Sequence, residues 1–169
     1  MFGDLKRSRI IALSAAFIAM IALGSWVSVP FFPVPLTLQT LFVLLAGAVM
    51  HRYAVIPVTL YLMLGALGLP VFHNGIAGLG ILLGPTGGYL IGFIPAALIA
   101  GLAYEAKSAR VHVIGLAMAT LIIYTCGICW LIYSTGMGIA AALAIGMLPF
   151  ILGDVIKASA VYMIAKRLP

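Results

Sequence analysis

Charged residues are scarce in this chain of 169 residues: nine are basic, three are acidic, and together they make up 7% of the sequence. Hydrophobic residues account for 65%, and the mean hydropathy is +1.29. A soluble globular domain carries about 25% charged residues. The scarcity of charge therefore excludes an ordinary soluble fold and indicates an integral membrane protein.

Residues that bind metals or phosphates are also few. The two cysteines, Cys126 and Cys129, have no second pair and no nearby histidine to complete a zinc site, so we interpret them as small packing residues. No glycine-rich stretch runs into Gly-Lys-Ser or Gly-Lys-Thr, which argues against an ATP site. We expect no metal, no cofactor in this chain and no enzymatic activity, since too few titratable groups lie away from the helix ends.

Apolar stretches fill the chain between short clusters of charge. A hydrocarbon core about 30 Å thick takes roughly 20 helical residues to cross. The sequence predicts an all-α fold in one transmembrane domain over residues 1–169, a bundle of six spans. The predicted spans are 10–29, 37–50, 54–69, 86–104, 111–133 and 139–165. The predicted outer loops are 30–36, 70–85 and 134–138; the first is called the first loop below, and the second the cap loop.

Basic residues lie on only one side of this predicted bundle, and the predicted outer loops contain no Lys or Arg. The basic residues that flank the spans are Lys6, Arg7, Arg9, Arg52, Lys107, Arg110, Lys166 and Arg167. By the positive-inside rule, both termini are expected in the cytoplasm. The net charge of +6 is thereby explained by topology, and we expect no nucleic-acid partner.

Two charges interrupt the last apolar segment: Asp154 and Lys157. Each costs about 2.5–3.5 kcal/mol at the centre of a membrane helix on insertion scales. The i, i+3 spacing places both on one helix face, where an ion pair is cheaper than two isolated charges. The pair is either a structural lock within the bundle or a contact point for a ligand. We favour the ligand, since ionisable residues within a membrane usually line a cavity.

The cap loop is rich in glycine but too apolar for a solvated linker. Six of the fourteen residues from Gly75 to Gly88 are glycine, which permits tight turns and close approach of the backbone to a ligand. We expect this loop to lie buried at the outer mouth of the bundle. Thr86 comes near the start of the fourth span, where a helix N-terminus favours anionic groups.

Four blocks of this sequence resemble the BioY family, the biotin-binding S components of energy-coupling factor (ECF) transporters. The blocks are Phe32–Thr40, Leu64–Phe72, Leu83–Phe93 and Gly153–Lys157, in the family's order. The resemblance implies a plasma-membrane protein that captures biotin in a pocket near the outer face, closed by the first loop and the cap loop.

The resemblance also implies site residues. Asp154, Lys157 and Asn74 are expected to contact biotin, the first two at its ureido ring. Apolar walls are expected from Phe32, Phe72 and Tyr89. The outer loops lack a cation for the valerate carboxylate, so that role falls to backbone N–H groups or to Thr86, Gln39, His73 or Lys157.

Partners follow from the same resemblance: a transmembrane T component and two ATPase subunits that use ATP. Ala12 and Ala16, and likewise Ala15 and Ala19, are four residues apart in the first span, a spacing that allows close helix approach. This stripe resembles the docking motif for the T component, although packing inside the bundle explains it equally well. An S component for another small vitamin, or a structural membrane subunit, remains an alternative function.

Overall fold

Helices make up most of the fold. The computed structural model describes residues 2–30 and 33–168, with the backbone alone for residues 2 and 3. The helices are α1 Phe2–Trp26, α2 Gln39–Met50, α3 Val55–Ala66, α4 Leu79–Leu83, α5 Gly87–Glu105, α6 Ala109–Thr135, α7 Ile139–Gly146 and α8 Leu148–Ala165. Short 3-10 turns cover His51–Ala54 and His73–Gly75.

Two short strands modify the all-α expectation. Strand β1 (Ser28–Val29) pairs antiparallel with β2 (Leu36–Thr37), with Ser28 opposite Thr37. The pair brackets the first loop and fixes its two ends beside each other. The chain therefore leaves α1 and enters α2 at neighbouring positions, which the strand pair holds together.

In the part of the chain that the structure describes, five stretches are long and apolar enough to cross a membrane. They are Asp4–Trp26, Gln39–Ala66, Gly87–Glu105, Ala109–Thr135 and Leu148–Ala165. The multi-pass membrane character predicted from composition is confirmed. The predicted last span, 139–165, is in fact two helices, because the backbone leaves the helical region at Met147 (φ −132°, ψ −55°) before α8 begins at Leu148 with Pro149 in its first turn.

The stretch Gln39–Ala66 is a reversal of the chain and not one straight helix. The Gln39 amide Nε2 donates to the Tyr61 hydroxyl at 2.6 Å, although the two residues are 22 positions apart. A straight helix would separate them by about 33 Å. The turn lies at His51, whose φ of +55° ends α2, and its carbonyl packs against the bare Cα of Gly101 in α5.

Charged groups meet at the end of the bundle where this reversal lies. Arg52 and Glu105 form a two-pronged ion pair, with Nε–Oε1 at 2.7 Å and Nη2–Oε2 at 2.6 Å. Lys6 lies over the Tyr53 ring, 5.6 Å from its centroid. We call this the basic end. The strand pair and the cap loop are joined at the other end, where Ser28 of β1 donates to Asn74 at 2.9 Å and Trp26 of α1 donates to the Pro70 carbonyl at 3.2 Å.

Helices α5 and α6 pack with little space between their backbones. Glycines make this approach possible: a Cβ on Gly88 would overlap Trp130, and one on Gly127 would overlap the Tyr89 ring. Small residues play this role in membrane bundles, where lipid provides no hydrophobic drive between helices. The close packing fixes Tyr89 against α6, at the edge of the cavity described next.

Candidate functional site

A cavity between α2, α5, α6 and α8 brings together most of the predicted site residues. It contains about 540 Å³ of empty space, part of which is open to solvent. The first loop and the cap loop contribute to its wall. The lining residues are Val34, Pro35, Thr37, Gln39, Thr40, His73, Thr86, Tyr89, Leu90, Phe93, Ile123, Tyr124, Phe150, Asp154 and Lys157. Among these residues, Asp154 is the one carboxylate and Lys157 the one ammonium.

Asp154 and Lys157 form a buried ion pair, as their spacing predicts. Lys157 Nζ lies 2.9 Å from Asp154 Oδ1, and the two side chains are only 13% and 6% exposed. Two charges removed from water are tolerated only with good geometry and further hydrogen bonds. The surroundings supply these bonds.

Thr40 of α2 and Tyr124 of α6 complete the pair's hydrogen bonds. Thr40 donates to Asp154 Oδ1 at 3.0 Å and accepts from Lys157 Nζ at 3.0 Å. Tyr124 donates its hydroxyl proton to Asp154 Oδ2 at 2.5 Å. Asp154 thereby connects three helices, and neither Thr40 nor Tyr124 was among the site residues predicted from the sequence. A polar side chain within an apolar span is the signal that could have found them.

The polar partners leave a limited capacity at the pair. A carboxylate has about four lone-pair sites, and Tyr124, Thr40 and Lys157 occupy three of Asp154's. An ammonium has three N–H donors, and Asp154 and Thr40 take two of Lys157's. One acceptor site and one donor remain for a ligand in the cavity.

Gln39, His73, Thr86 and Tyr89 line the same cavity, and their contact with a ligand stays a prediction. Thr86 is the N-cap residue of α5, and its side chain makes no capping hydrogen bond. Tyr89 donates its hydroxyl to the Gly146 carbonyl at 2.8 Å, which ties α5 to α7. Half-burial lowers the pKa of His73 below its usual value near 6.5, because burial penalises the charged imidazole. Burial therefore favours the neutral form of the His73 imidazole.

Two other predicted residues, Phe72 and Asn74, are not among the lining residues. Phe72 is fully buried beneath Gly65 of α3, edge-on to Tyr61 with ring centroids 5.7 Å apart, and it is not among the lining residues. Asn74 is exposed in a left-handed turn (φ +58°), and its Oδ1 accepts from Ser28 at 2.9 Å. Phe32 lies outside the described residues. Direct contact of these three with a ligand stays a prediction.

The cap loop is fastened at both ends. Tyr61 donates to the Val71 carbonyl at 2.8 Å, and Ser25 lies 2.7 Å from the same oxygen. At the other end, Trp130 donates to the Gly84 carbonyl at 2.9 Å. These bonds, together with Ser28–Asn74, join the loop to α1, α3, α6 and β1.

The alanine stripe of α1 lies on the outside of the bundle. Ala12, Ala15, Ala16 and Ala19 are all exposed, whereas Phe17 and Ile21 on the other side of the helix are buried. Packing inside this chain does not use the stripe. Its role in docking a partner stays a prediction.

Metal-binding groups are not clustered in the parts of the chain described by the structure. Over residues 2–30 and 33–168, no three His, Cys, Asp or Glu side chains lie close enough to hold an ion. Cys126 and Cys129 are free thiols, and Cys126 packs against Gly92 of α5.

Comparison with known proteins gives a consistent result. Residues 3–169 match the sequence model of the BioY family. The biotin transporter BioY of Thermotoga maritima is 42% identical over 154 residues, 90% of each chain. That of Rhodobacter capsulatus is 42% identical over an alignment 176 positions long, gaps included, which covers 94% of this chain and 90% of the relative. A crystal structure of the S-component for biotin from an ECF-type ABC transporter superimposes with a TM-score of 0.87 at 28% identity, covering 97% of this chain and 92% of that one.

Proposed function

The chain belongs to the BioY family, and we propose that it is the biotin-binding S component of an ECF-type transporter. The observation that carries this proposal is the buried Asp154–Lys157 pair on the wall of a mostly apolar cavity. A purely structural subunit gives no reason for the acceptor and donor that this pair leaves unused. The role is one of binding, and no chemical step on the substrate is proposed.

The ureido ring of biotin matches the unused capacity of the pair. This ring has two N–H donors and one carbonyl acceptor, so Asp154 accepts one N–H and Lys157 donates to the carbonyl. Both bonds are charge-assisted and are made in a buried site, where they are stronger than in water. The thiophane ring and valeryl chain then pack against Phe93, Ile123 and Phe150.

The valerate carboxylate is proposed to lie toward the N-terminus of α5. The backbone N–H groups there point along the positive end of the helix dipole, and the Thr86 hydroxyl adds a donor. Gln39 and His73 line the same cavity and are the alternative donors. Asn74 remains a proposed ligand contact, because Ser28 uses only its Oδ1 and leaves the Nδ2 group to donate.

We further propose six membrane crossings, both termini in the cytoplasm and a pocket that opens outward from the plasma membrane. The reversal at His51 supports two crossings within Gln39–Ala66. The meeting of Lys6, Arg52 and Glu105 at the basic end supports the positive-inside assignment. The chain is then a single transmembrane domain over residues 1–169.

The partners proposed are a T component and two ATPase subunits. The exposed alanine stripe of α1 offers the T component a surface for close helix packing. ATP is used by the partner subunits, and no cofactor is proposed for this chain.

Binding of radiolabelled biotin to the purified, detergent-solubilised protein tests the substrate. Saturable binding that unlabelled biotin displaces is expected, with desthiobiotin, which keeps the ureido ring, as the next best competitor. Lipoate, thiamin and riboflavin should not compete. Displacement by thiamin or riboflavin would instead favour an S component for another vitamin. No biotin binding by a folded sample would contradict the proposal.

A further inference from the structure

Tyr61 of α3 is fully buried, and its hydroxyl lies between the cavity and the cap loop. The hydroxyl makes short hydrogen bonds to the Gln39 amide at 2.6 Å and to the Val71 carbonyl at 2.8 Å, and Ser25 also lies beside it. Tyr61 does not line the cavity itself, whereas Gln39 does. We infer that Tyr61 is a positioning residue, which acts on substrate binding by fixing the orientation of the Gln39 amide. This inference rests on the proposed biotin site.

The direction of these bonds follows from the count of protons. A carbonyl oxygen can only accept, so the 2.8 Å contact between Tyr61 and Val71 must contain the single phenolic hydrogen of Tyr61. The phenol oxygen then has only lone pairs to offer Gln39. The group of Gln39 that faces Tyr61 at 2.6 Å must therefore be the Nε2 amide, which donates.

The other end of the amide is fixed as well. Thr37 donates its hydroxyl to Gln39 Oε1 at 3.1 Å, and that hydroxyl accepts from the Gln39 backbone N–H at 3.3 Å. A rotation of the amide by 180° would set Oε1 against the lone pairs of Tyr61. A buried acceptor left facing another acceptor loses its hydrogen bond and is costly. One orientation of Gln39 is thereby selected.

The selected orientation has a consequence for binding. After the bonds to Tyr61 and Thr37, Gln39 retains one Nε2 hydrogen and one Oε1 lone pair. Both stay at fixed positions in the cavity wall before the ligand arrives. Such preorganisation raises affinity, because binding does not have to order the side chain.

A double-mutant cycle on the full chain tests whether Tyr61 acts through Gln39. Tyr61→Phe removes one oxygen and keeps the ring that packs on Phe72. We expect it to weaken biotin binding about 5-fold, as for a lost buried hydrogen bond. In a Gln39→Ala background the same change should alter the dissociation constant by less than about 2-fold, because the intermediary is gone.

Ser25→Ala is the matched control. Ser25 is the other side chain on the Val71 carbonyl and also lies beside the Tyr61 hydroxyl, but it forms no hydrogen bond with Gln39. Its removal should leave biotin affinity within about 2-fold of the wild type, which is the margin within which the effects of independent mutations add. Two results would overturn the inference: equal effects of Tyr61→Phe in both backgrounds, or an effect of Ser25→Ala as large as that of Tyr61→Phe. Either would show that the loss of affinity comes from the hydrogen bonds that hold the cap loop at the Val71 carbonyl.

A spectroscopic measurement on the unmutated protein gives a second test. Gln39 is the only glutamine in the sequence, so 15N-glutamine labelling yields a single side-chain amide. We expect two well-separated Nε2 proton resonances, one of them protected from solvent exchange, and loss of that protection in Tyr61→Phe. A freely exchanging amide in the wild type would overturn the inference. Failure of the wild type to bind biotin would instead contradict the proposed function, so the two failures are distinguishable.

Discussion

The hydroxyl of Tyr124 on α6 donates to Oδ2 of Asp154 on α8 across 2.5 Å. This bond joins two helices that otherwise contact each other sparsely, at the one carboxylate of the cavity wall. The bond also turns the carboxylate so that Oδ1 faces Lys157 and Thr40.

Tyr124→Phe should therefore affect binding and stability together. A hydrogen bond to a charged group contributes about 1.5–3 kcal/mol, so its loss predicts at least a 10-fold rise in the biotin dissociation constant and a lower unfolding temperature. Both are measured on the purified protein. Tyr133→Phe is the control, because Tyr133 is 80% exposed, and it should match the wild type. An unchanged biotin affinity in Tyr124→Phe would show that binding does not depend on the orientation that Tyr124 gives to the Asp154 carboxylate.

Biotin affinity should fall in mild acid because of His73. Burial lowers the pKa of folded His73 below 6.5, so the unfolded or opened state takes up a proton first as the pH decreases. The contribution of His73 to the stability of the folded cap loop is therefore fully present above about pH 6.5. It is lost as the pH falls toward the pKa that His73 has in the folded protein. Binding measured from pH 7.5 to 5 should weaken, and His73→Asn should flatten this profile. If biotin binding of His73→Asn kept the same pH dependence, the titrating group would be a residue other than His73.

Gly101 should not tolerate a methyl group. A Cβ there would overlap the His51 carbonyl at the turn between α2 and α3, and backbone cannot move aside as a flexible side chain can. We expect Gly101→Ala to destabilise the protein by about 1–3 kcal/mol in thermal or denaturant unfolding. Gly153→Ala is the matched control: it is also helical but has open space at its Cβ, so it should be neutral or stabilising.

The alanine stripe gives a prediction about assembly. Ala16→Leu places a bulky side chain on an exposed face of α1, where it should prevent close packing with the T component. Co-purification with the T and ATPase subunits should be lost, while biotin binding to the isolated chain is kept. Ala117→Leu, on the exposed face of α6, should leave assembly intact. Normal assembly of Ala16→Leu would show that docking does not depend on the stripe.

The buried pair illustrates what the sequence can predict. Asp154 and Lys157 stand out because a charge within an apolar span is costly and needs a reason. Thr40 is also polar within an apolar span, but its pairing with Asp154 could not be predicted, since the two are 114 positions apart and nothing local marks Thr40 as facing α8. Pairings of this kind depend on which faces of distant helices meet.

Some helix boundaries can be predicted from the sequence and others cannot. The predicted spans 37–50 and 54–69 agree closely with α2 (Gln39–Met50) and α3 (Val55–Ala66), because Arg52 marks the turn between them. The break at Met147 was missed, since the apolar run continues through it and Pro149 is equally compatible with a kink. Phe72 was expected in the cavity wall, but Gly65 leaves space beneath α3 that its ring fills.

The central claim is that Asp154 and Lys157 bind the substrate and are not only a lock between helices. Lys157→Met alone leaves a buried carboxylate unpaired, which should cost about 3–5 kcal/mol of stability. The double variant Asp154→Asn with Lys157→Met removes both charges and keeps an acceptor for Tyr124, so its stability should recover most of that loss.

Biotin titration of this double variant, on a sample shown to be folded, is the most direct test. The account predicts that affinity falls by at least about 100-fold, since two charge-assisted hydrogen bonds to the ureido ring are lost while the fold is kept. Wild-type affinity in the folded double variant would contradict the account and leave the pair as a structural lock.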